Sequence, residues 1–236
     1  MNAQDPRTAT ASRMARNAIL ARLREVTAEP PPADDEVTTY FNSPAAGDAD
    51  NRVRRFVDHA RAWQAEVVET DADTWPQALS AVLRYHQVQR LLAGRDSALA
   101  ATLAATPLPS ALHWFDEDLA HCKADLFERT DAGITTTLAG IAETGSLLLR
   151  PGPAEPRTLS LIPPVHIAVL REIDIRESLL PALRDKQDTS AMPTNLVLVT
   201  GPSKTADIQR MLVYGVHGPR ALVILLLRED DRGAAA

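Results

Sequence analysis

Residues 195–227 read NLVLVTGPSKTADIQRMLVYGVHGPRALVILLL, and this stretch decides the fold of the 236-residue chain. Its two apolar runs, 196–199 and 221–227, have the composition of strands that are buried on both faces of a parallel sheet. Between the runs the chain turns at Gly201, and a helix is predicted to begin near Ser203. Two buried strands that bracket a helix predict an open α/β sheet, with a ligand site at the carboxyl edge of its strands.

The turn between the two runs is a candidate anion site. A helix that begins at Ser203 presents unpaired backbone N–H groups, which suit phosphate or carboxylate oxygens. Lys204 adds positive charge, Thr205 adds a hydroxyl group, and Gly201 precedes both. The glycine spacing differs from that of a P-loop. The alternative is an ordinary capped helix start, and the residues alone leave both interpretations open.

Two histidines are candidates for proton transfer. His217 lies between Gly215 and Gly218, directly before the second apolar run. Glycines let the backbone approach a ligand, and a histidine can exchange a proton near neutral pH. His166 opens another apolar strand, after Pro163–Pro164. A histidine beside a strand is also commonly a packed, hydrogen-bonded residue, so a shared pocket for the two is one of two interpretations.

A second polar turn carries Glu143, Thr144, Gly145 and Ser146 between two short predicted strands. Glu143 is a candidate acid, base or nucleophile, and the hydroxyl and N–H groups after it are candidates for holding an anion. The alternative is a glycine turn with solvated side chains. Because loops at the carboxyl ends of parallel strands meet around one crevice, we expect Glu143 and His217 to face the same pocket.

Composition argues against several classes of function. The formal net charge of −6 and the aromatic fraction of 4% do not fit a nucleic-acid surface. Cys122 is the only cysteine, so the chain by itself holds neither an iron–sulfur cluster nor a disulfide. The N-terminus is too polar for a secretory signal, and the longest apolar run, 221–227, is far shorter than the ~20 residues of a membrane helix. We therefore expect a cytoplasmic protein without a membrane span.

The run 113–122, HWFDEDLAHC, contains residue types that bind metals. His113 and His121 are eight residues apart, and no tight histidine pair occurs between them. A solvated acidic face explains the run better, so we predict no metal site.

Three segments are predicted along the chain. Residues 1–50 hold an amphipathic helix, 12–26, and a proline-rich linker; residues 51–228 form the α/β domain; residues 229–236 form a frayed tail. The domain begins with a helical pattern over 51–68. A helix such as 12–26, outside the main domain, packs on a neighbour or on a second copy of the chain, so a homo-oligomer stays open.

The segments AETGSLLL, LIPPVHIAVL, GPSKTADI and GVHGPRALVILLL together resemble the LUD domain family, over roughly residues 50–227. The resemblance implies a fold similar to the group of sugar-phosphate isomerases, CoA-transferases and 5-formyltetrahydrofolate cyclo-ligases. It also implies a role in oxidising L-lactate to pyruvate alongside two iron–sulfur redox proteins. The clusters are expected in those partners, and no cofactor is expected in this chain. The residues that match the family motifs are Glu143, Thr144, Gly145, Ser146, His166, Gly201, Pro202, Ser203, Lys204, Asp207, Gly215, His217, Gly218 and Pro219.

The leading hypothesis is a component of a lactate-oxidation system that binds a small carboxylate or phosphate at the carboxyl edge of the sheet. Lys204 would supply charge, and His217 and Glu143 would transfer protons. One alternative is a transferase or ligase in which Glu143 attacks an acyl substrate, an idea that rests on fold analogy. Another is a non-catalytic scaffold that docks redox partners through the helix at 12–26. Whether the chain is an enzyme stays open.

Overall fold

The structure is a computed structural model and describes residues 6–25, 49–115, 126–185, 193–206 and 212–229. The chain divides into two units, Met1–Pro44 and Ala45–Ala236. In the first unit, helix α1 spans Pro6–Glu25, where the sequence predicted a helix over 12–26. The linker between this helix and residue 49, and residues 230–236, lie outside the described residues. Among the described helices, none combines the length and the apolar composition that crossing a membrane requires.

The second unit alternates helices and strands. Its described α-helices are α2 (Ala49–Ala62), α3 (Trp75–Tyr85), α4 (Ala100–Ala105), α5 (Thr158–Leu161) and α6 (Leu179–Asp185). Its described strands are β1 (Glu66–Asp71), β2 (Arg90–Gly94), β3 (Ala111–Phe115), β4 (Ala132–Thr136), β5 (Ala139–Ile141), β6 (Ser146–Leu149), β7 (Val165–Arg171), β8 (Ile175–Arg176), β9 (Val197–Val199), β10 (Lys204–Ala206), β11 (Leu212–Tyr214) and β12 (Ala221–Arg228).

Six of these strands form a fully parallel sheet in the order β1-β12-β7-β4-β2-β3. A smaller sheet has the order β8-β5-β6-β9 and mixes parallel and antiparallel pairs. Strands β10 and β11 form a separate antiparallel hairpin. The predicted fold class, a mainly parallel α/β sheet flanked by helices, is confirmed.

The large sheet is buried on both faces, which explains its continuous apolar strands. On one face, Trp75 and Leu79 of α3 pack with Ile167 of β7. On the other face, Phe56 of α2 and the small sheet pack with Leu170 of β7. Since successive residues of a strand point to opposite faces, His166 lies on the same face as Leu170, between the large sheet and the small one.

The predicted helix over 51–68 is wrong in its last part, because α2 ends at Ala62 and β1 follows. Gln64 adopts a φ of 68° directly after the helix. A left-handed residue at this position ends a helix, and it is usually a glycine that a sequence would reveal. Val67 and Val68 continue the helical spacing in the sequence, but in the structure they belong to β1 and pair with β12.

Candidate functional site

The predicted helix that begins at Ser203 is wrong, because the segment is a β-hairpin formed by β10 and β11. The backbone N–H of Ser203 donates to the Pro219 carbonyl over 2.8 Å, and that of Gly215 donates to the Ser203 carbonyl over 2.9 Å. We call residues 201–203 the GPS segment and residues 215–219 the GVHGP segment. Backbone groups that a helix start would leave unpaired are bonded between these segments, so no helix-terminus anion site forms here.

A cavity of about 190 Å³ lies where the GPS and GVHGP segments meet the two sheets. His166 is the second residue of β7, and Leu222 is the second residue of β12, so the cavity lies at the amino ends of these parallel strands. The predicted position at the carboxyl edge is therefore wrong for this cavity. The residues that line it are Ser160, Leu161, His166, Val197, Leu198, Val199, Thr200, Gly201, Ser203, His217, Gly218, Pro219 and Leu222.

The carboxyl ends of β1 and β12 border a different cleft, with a volume of about 500 Å³. Two of its three arginines pair with carboxylates. Arg228 contacts Glu69 at 3.4 Å and Glu172 at 3.1 Å, and Arg61 lies 3.8 Å from Glu69. The third, Arg54, donates to the amide oxygen of Asn51. Because two of these cations already have carboxylate partners, this cleft is the weaker candidate for an anion site.

His166 is fully buried at the wall of the cavity. Its Nε2 lies 2.9 Å from the hydroxyl oxygen of Thr135, which belongs to the neighbouring strand β4. Its Nδ1 has no hydrogen-bond partner among the described residues. Desolvation by burial lowers the pKa of His166 to about 4, so the ring is uncharged near neutral pH.

His217 and Ser203 present the other polar side chains of the hairpin region to the cavity. His217 is exposed, whereas Ser203 is half-buried. Gly218 packs against this serine, because a Cβ atom at position 218 would lie 3.2 Å from Ser203 Cβ and 3.5 Å from the Leu161 carbonyl oxygen. A side chain at this position would therefore push Ser203 by a few tenths of an ångström, which makes glycine the best fit for the close approach of the two segments.

The turn at Glu143–Ser146 packs against α2. The φ of Gly145 is 68°, and a Cβ atom there would lie 2.2 Å from the backbone nitrogen of Ala60. His59 Nδ1 contacts the Ala142 carbonyl at 2.8 Å, and the Glu143 N–H donates to the Glu177 carbonyl over 3.0 Å. The side chain of Glu143 is exposed. The turn is held in place by packing and backbone hydrogen bonds.

A line of hydroxyl groups connects this turn to the cavity wall. The Thr144 and Ser146 oxygens are 2.7 Å apart, and Ser146 Oγ lies 2.6 Å from Thr200 Oγ1. Thr200 lines the cavity, but Thr144 and Ser146 do not, as far as the described residues define its wall. The turn thus contacts a residue of the cavity wall without lining the cavity itself.

The structure brings together part of the predicted site. His166, Gly201, Ser203, His217 and Gly218 line one cavity. The lining, as drawn from the described part of the chain, does not include Glu143, Thr144, Gly145, Ser146, Lys204, Thr205 and Gly215. The expected shared pocket of Glu143 and His217 is not seen there, and the chemical roles of all these residues stay predictions.

The sequence analysis missed three polar residues of this region, Thr135, Ser160 and Thr200. Thr200 directly precedes Gly201, so its position at the end of an apolar run was a usable signal. Thr135 is one of three consecutive threonines. Only the alternation of side chains along a strand, once the two faces of the strand are known, shows that this threonine is the one that faces His166. Ser160 lies in the short helix α5, where no local signal marks it.

No group of three or more histidine, cysteine, aspartate or glutamate side chains is arranged to hold a metal within the described ranges. Cys122 and His121 of the run 113–122 lie outside those ranges. The expected absence of a metal site therefore stays a prediction.

Comparisons with known proteins identify the family. The model of the LUD domain matches residues 53–227. An uncharacterized protein of Neisseria meningitidis serogroup B is 34% identical over 223 residues, covering 92% of this chain and 94% of that protein. Lactate utilization protein C of Macrococcus caseolyticus is 31% identical over 171 residues, covering 71% of this chain and 73% of that protein.

A crystal structure of a DUF162 family protein from Deinococcus radiodurans aligns with a TM-score of 0.57 and covers 77% of this chain and 99% of that chain. At 23% sequence identity this likeness shows the fold alone. The match to the family model extends from α2 to β12 and includes every segment that lines the cavity. The chain belongs to the LUD domain family.

Proposed function

We propose that this chain is a component of an L-lactate utilization system and that its cavity binds a small anionic ligand, a carboxylate or a phosphate. Relatives that carry the name lactate utilization protein C support the first part. The second part rests on one observation: the GPS and GVHGP segments are hydrogen-bonded to each other and present Ser203 and His217 to one cavity, next to the buried His166.

The size of the cavity selects a compact ligand. Its volume of about 190 Å³ is smaller than the range of about 300–1,000 Å³ that pockets for drug-sized ligands occupy. A molecule of a few carbon and oxygen atoms fits, whereas most of a coenzyme or nucleotide would extend out of the cavity into solvent. This argues against the CoA-transferase alternative, as does the position of the exposed Glu143 outside the lining.

The polar side chains of the cavity have different proposed roles in binding the anion. Ser203 donates a hydrogen bond from its hydroxyl, and His217 contacts the anion at the exposed side of the cavity. Lys204, to which the sequence assigned the positive charge, is exposed and lies outside the described lining. We therefore assign no role in binding to Lys204. The docking of partners through the helix at 12–26 stays a hypothesis from the sequence.

Two iron–sulfur redox proteins complete the proposed system. Oxidation of L-lactate to pyruvate releases two electrons and two protons, and a chain with a single cysteine cannot pass the electrons through a cluster of its own. The electrons therefore go to clusters in the partner proteins. This chain would hold the anion while they are transferred.

Turnover by the purified chain tests this assignment. We expect no oxidation of L-lactate with an artificial electron acceptor when the chain is alone, and oxidation when the two partner proteins are added. Robust turnover by the isolated chain would contradict the proposal and would make a self-sufficient enzyme the better account. Calorimetric titrations with L-lactate, pyruvate and phosphate test the cavity separately, and binding of none of them would remove the ligand proposal.

A further inference from the structure

Among the described residues that line the cavity, His166 is the buried side chain whose hydrogen bonding is incomplete. The ring is fully buried, Nε2 is bonded to Thr135, and Nδ1 has no partner among the described residues. A buried polar atom without a partner is uncommon in folded proteins and costs free energy. Because His166 lines a cavity of molecular size, a ligand is the natural source of the missing bond.

The bond to Thr135 determines which nitrogen of the ring carries the proton. Within the described residues, Nε2 of His166 is the hydrogen-bond partner recorded for the hydroxyl of Thr135. If Nε2 carried the proton, the threonine oxygen would accept and its own hydrogen would be left buried without an acceptor. The hydroxyl therefore donates to Nε2, and the proton of the neutral ring is on Nδ1.

The direction of the free N–H follows from the shape of the ring. The two nitrogens of an imidazole point away from each other, and Nε2 faces Thr135 on β4. Nδ1 is therefore directed away from β4. On the other side of β7 lies β12, where Leu222 is paired with His166 and lines the same cavity. The N–H is thus directed toward the side of β7 on which Leu222 lines the cavity.

We infer that His166 recognises an uncharged oxygen of the ligand, a carbonyl or a hydroxyl oxygen, through an Nδ1–H donor that Thr135 holds in place. This inference rests on the proposed function and refines it. It makes the ligand a short oxygen-substituted carboxylate, bound with its neutral oxygen at the buried end of the cavity and its carboxylate at the side of His217.

The orientation of the ligand follows from the distribution of charge and apolar surface in the cavity. Burial lowers the pKa of His166 to about 4, so this ring offers a donor without a positive charge. Val197, Val199 and Leu222 line the cavity near it. A carboxylate buried among them would lose its hydration without gaining a counter-charge, which is costly. His217 is exposed, so a carboxylate beside it keeps part of its water.

A matched pair of probes tests the inference. Pyruvate and propionate have similar size and the same charge, and they differ in the oxygen on the carbon next to the carboxylate. We expect wild-type protein to bind pyruvate about tenfold more tightly in calorimetry, the value of one neutral hydrogen bond. Equal affinities, or binding of neither probe, would overturn the inference. The proposed anion site would be withdrawn only if L-lactate and phosphate also failed to bind.

Two substitutions separate the donor from the packing of the ring. The amide of His166→Asn places a donor near the position of Nδ1, whereas that of His166→Gln places it near the position of Nε2 and keeps the contact with Thr135. We expect the Asn variant to retain the preference for pyruvate and the Gln variant to bind both probes equally. A preference that persists in the Gln variant would contradict the assigned donor.

A spectroscopic measurement on the unsubstituted chain covers the case in which either variant fails to fold. The nitrogen chemical shifts of the His166 ring distinguish a protonated from an unprotonated nitrogen. We expect a protonated Nδ1 and an unprotonated Nε2 in the free protein, and a shift of the Nδ1 signal when pyruvate is added. The opposite tautomer, or an Nδ1 signal that pyruvate leaves unchanged, would overturn the inference.

Discussion

The GPS and GVHGP segments and the turn at Glu143–Ser146 look alike in sequence, since each region combines glycine, a hydroxyl side chain and one ionisable residue. Their surroundings differ. The first two segments face each other across a cavity and leave His217 exposed at its wall. The turn presses Gly145 against the backbone of α2, and its exposed Glu143 lies outside the described lining. The same residue types therefore line a cavity in one place and hold the fold in the other.

The strongest test of this contrast is Gly145→Ala. The residue has a positive φ, and an added Cβ would overlap the backbone nitrogen of Ala60. We expect the free energy of unfolding in urea to fall by about 4 kcal/mol or more. Gly152→Ala is the matched control, because a Cβ there meets nothing within 4 Å, and its effect should stay within about 0.5 kcal/mol. Equal stability of the two variants would show that the turn does not hold α2.

The second test is the dependence of stability on pH, to which the buried His166 contributes. Its pKa in the folded protein is lowered to about 4, below its usual value of 6.5, so the unfolded chain binds the proton more readily. The contribution of the neutral His166 to the free energy of unfolding is fully present above pH 6.5 and is lost as the pH drops toward 4. Between pH 7 and pH 5 we expect the wild type to lose about 2 kcal/mol more than His166→Asn, which has no titrating ring. Parallel pH profiles of the two proteins would contradict the buried neutral histidine.

The third test compares the two ionisable residues directly. We expect His217→Ala to weaken pyruvate binding by about 1.5–3 kcal/mol, the cost of a lost hydrogen bond to a charged group. Its stability should be nearly unchanged because the side chain is exposed. Glu143→Gln should change neither quantity. If calorimetry showed a loss of affinity in the Glu143 variant instead, the contrast between the two regions would be reversed.

Most of the fold follows from the sequence because the signals are local. The runs after Pro163–Pro164 and after Gly218 are continuously apolar, as strands buried on both faces of a parallel sheet are, and they form β7 and β12. The glycine turn at 145 lies between β5 and β6, as predicted. These features depend on the residues of one segment.

The parts that were wrong depend on partners far along the chain. Ser203 has the side chain of a helix cap, but its backbone groups are bonded to Pro219 and Gly215. No local sequence pattern reveals these hydrogen bonds, because the partner residues lie farther along the chain. The position of the cavity was also wrong with respect to the large sheet, since it lies at the amino ends of β7 and β12, although Thr200 and Ser203 follow β9 of the small sheet. His217 precedes β12, and a sequence does not say which end of a parallel sheet a small second sheet will cover.

We propose that the GPS and GVHGP segments, together with His166, bind a small anion. The decisive experiment is a pyruvate titration followed by two-dimensional NMR of isotope-labelled protein. We expect pyruvate to shift the signals of Ser203, His217 and His166 together, with one dissociation constant, and to leave that of Glu143 in place. Shifts centred on Glu143, with the other three signals unmoved, would contradict it.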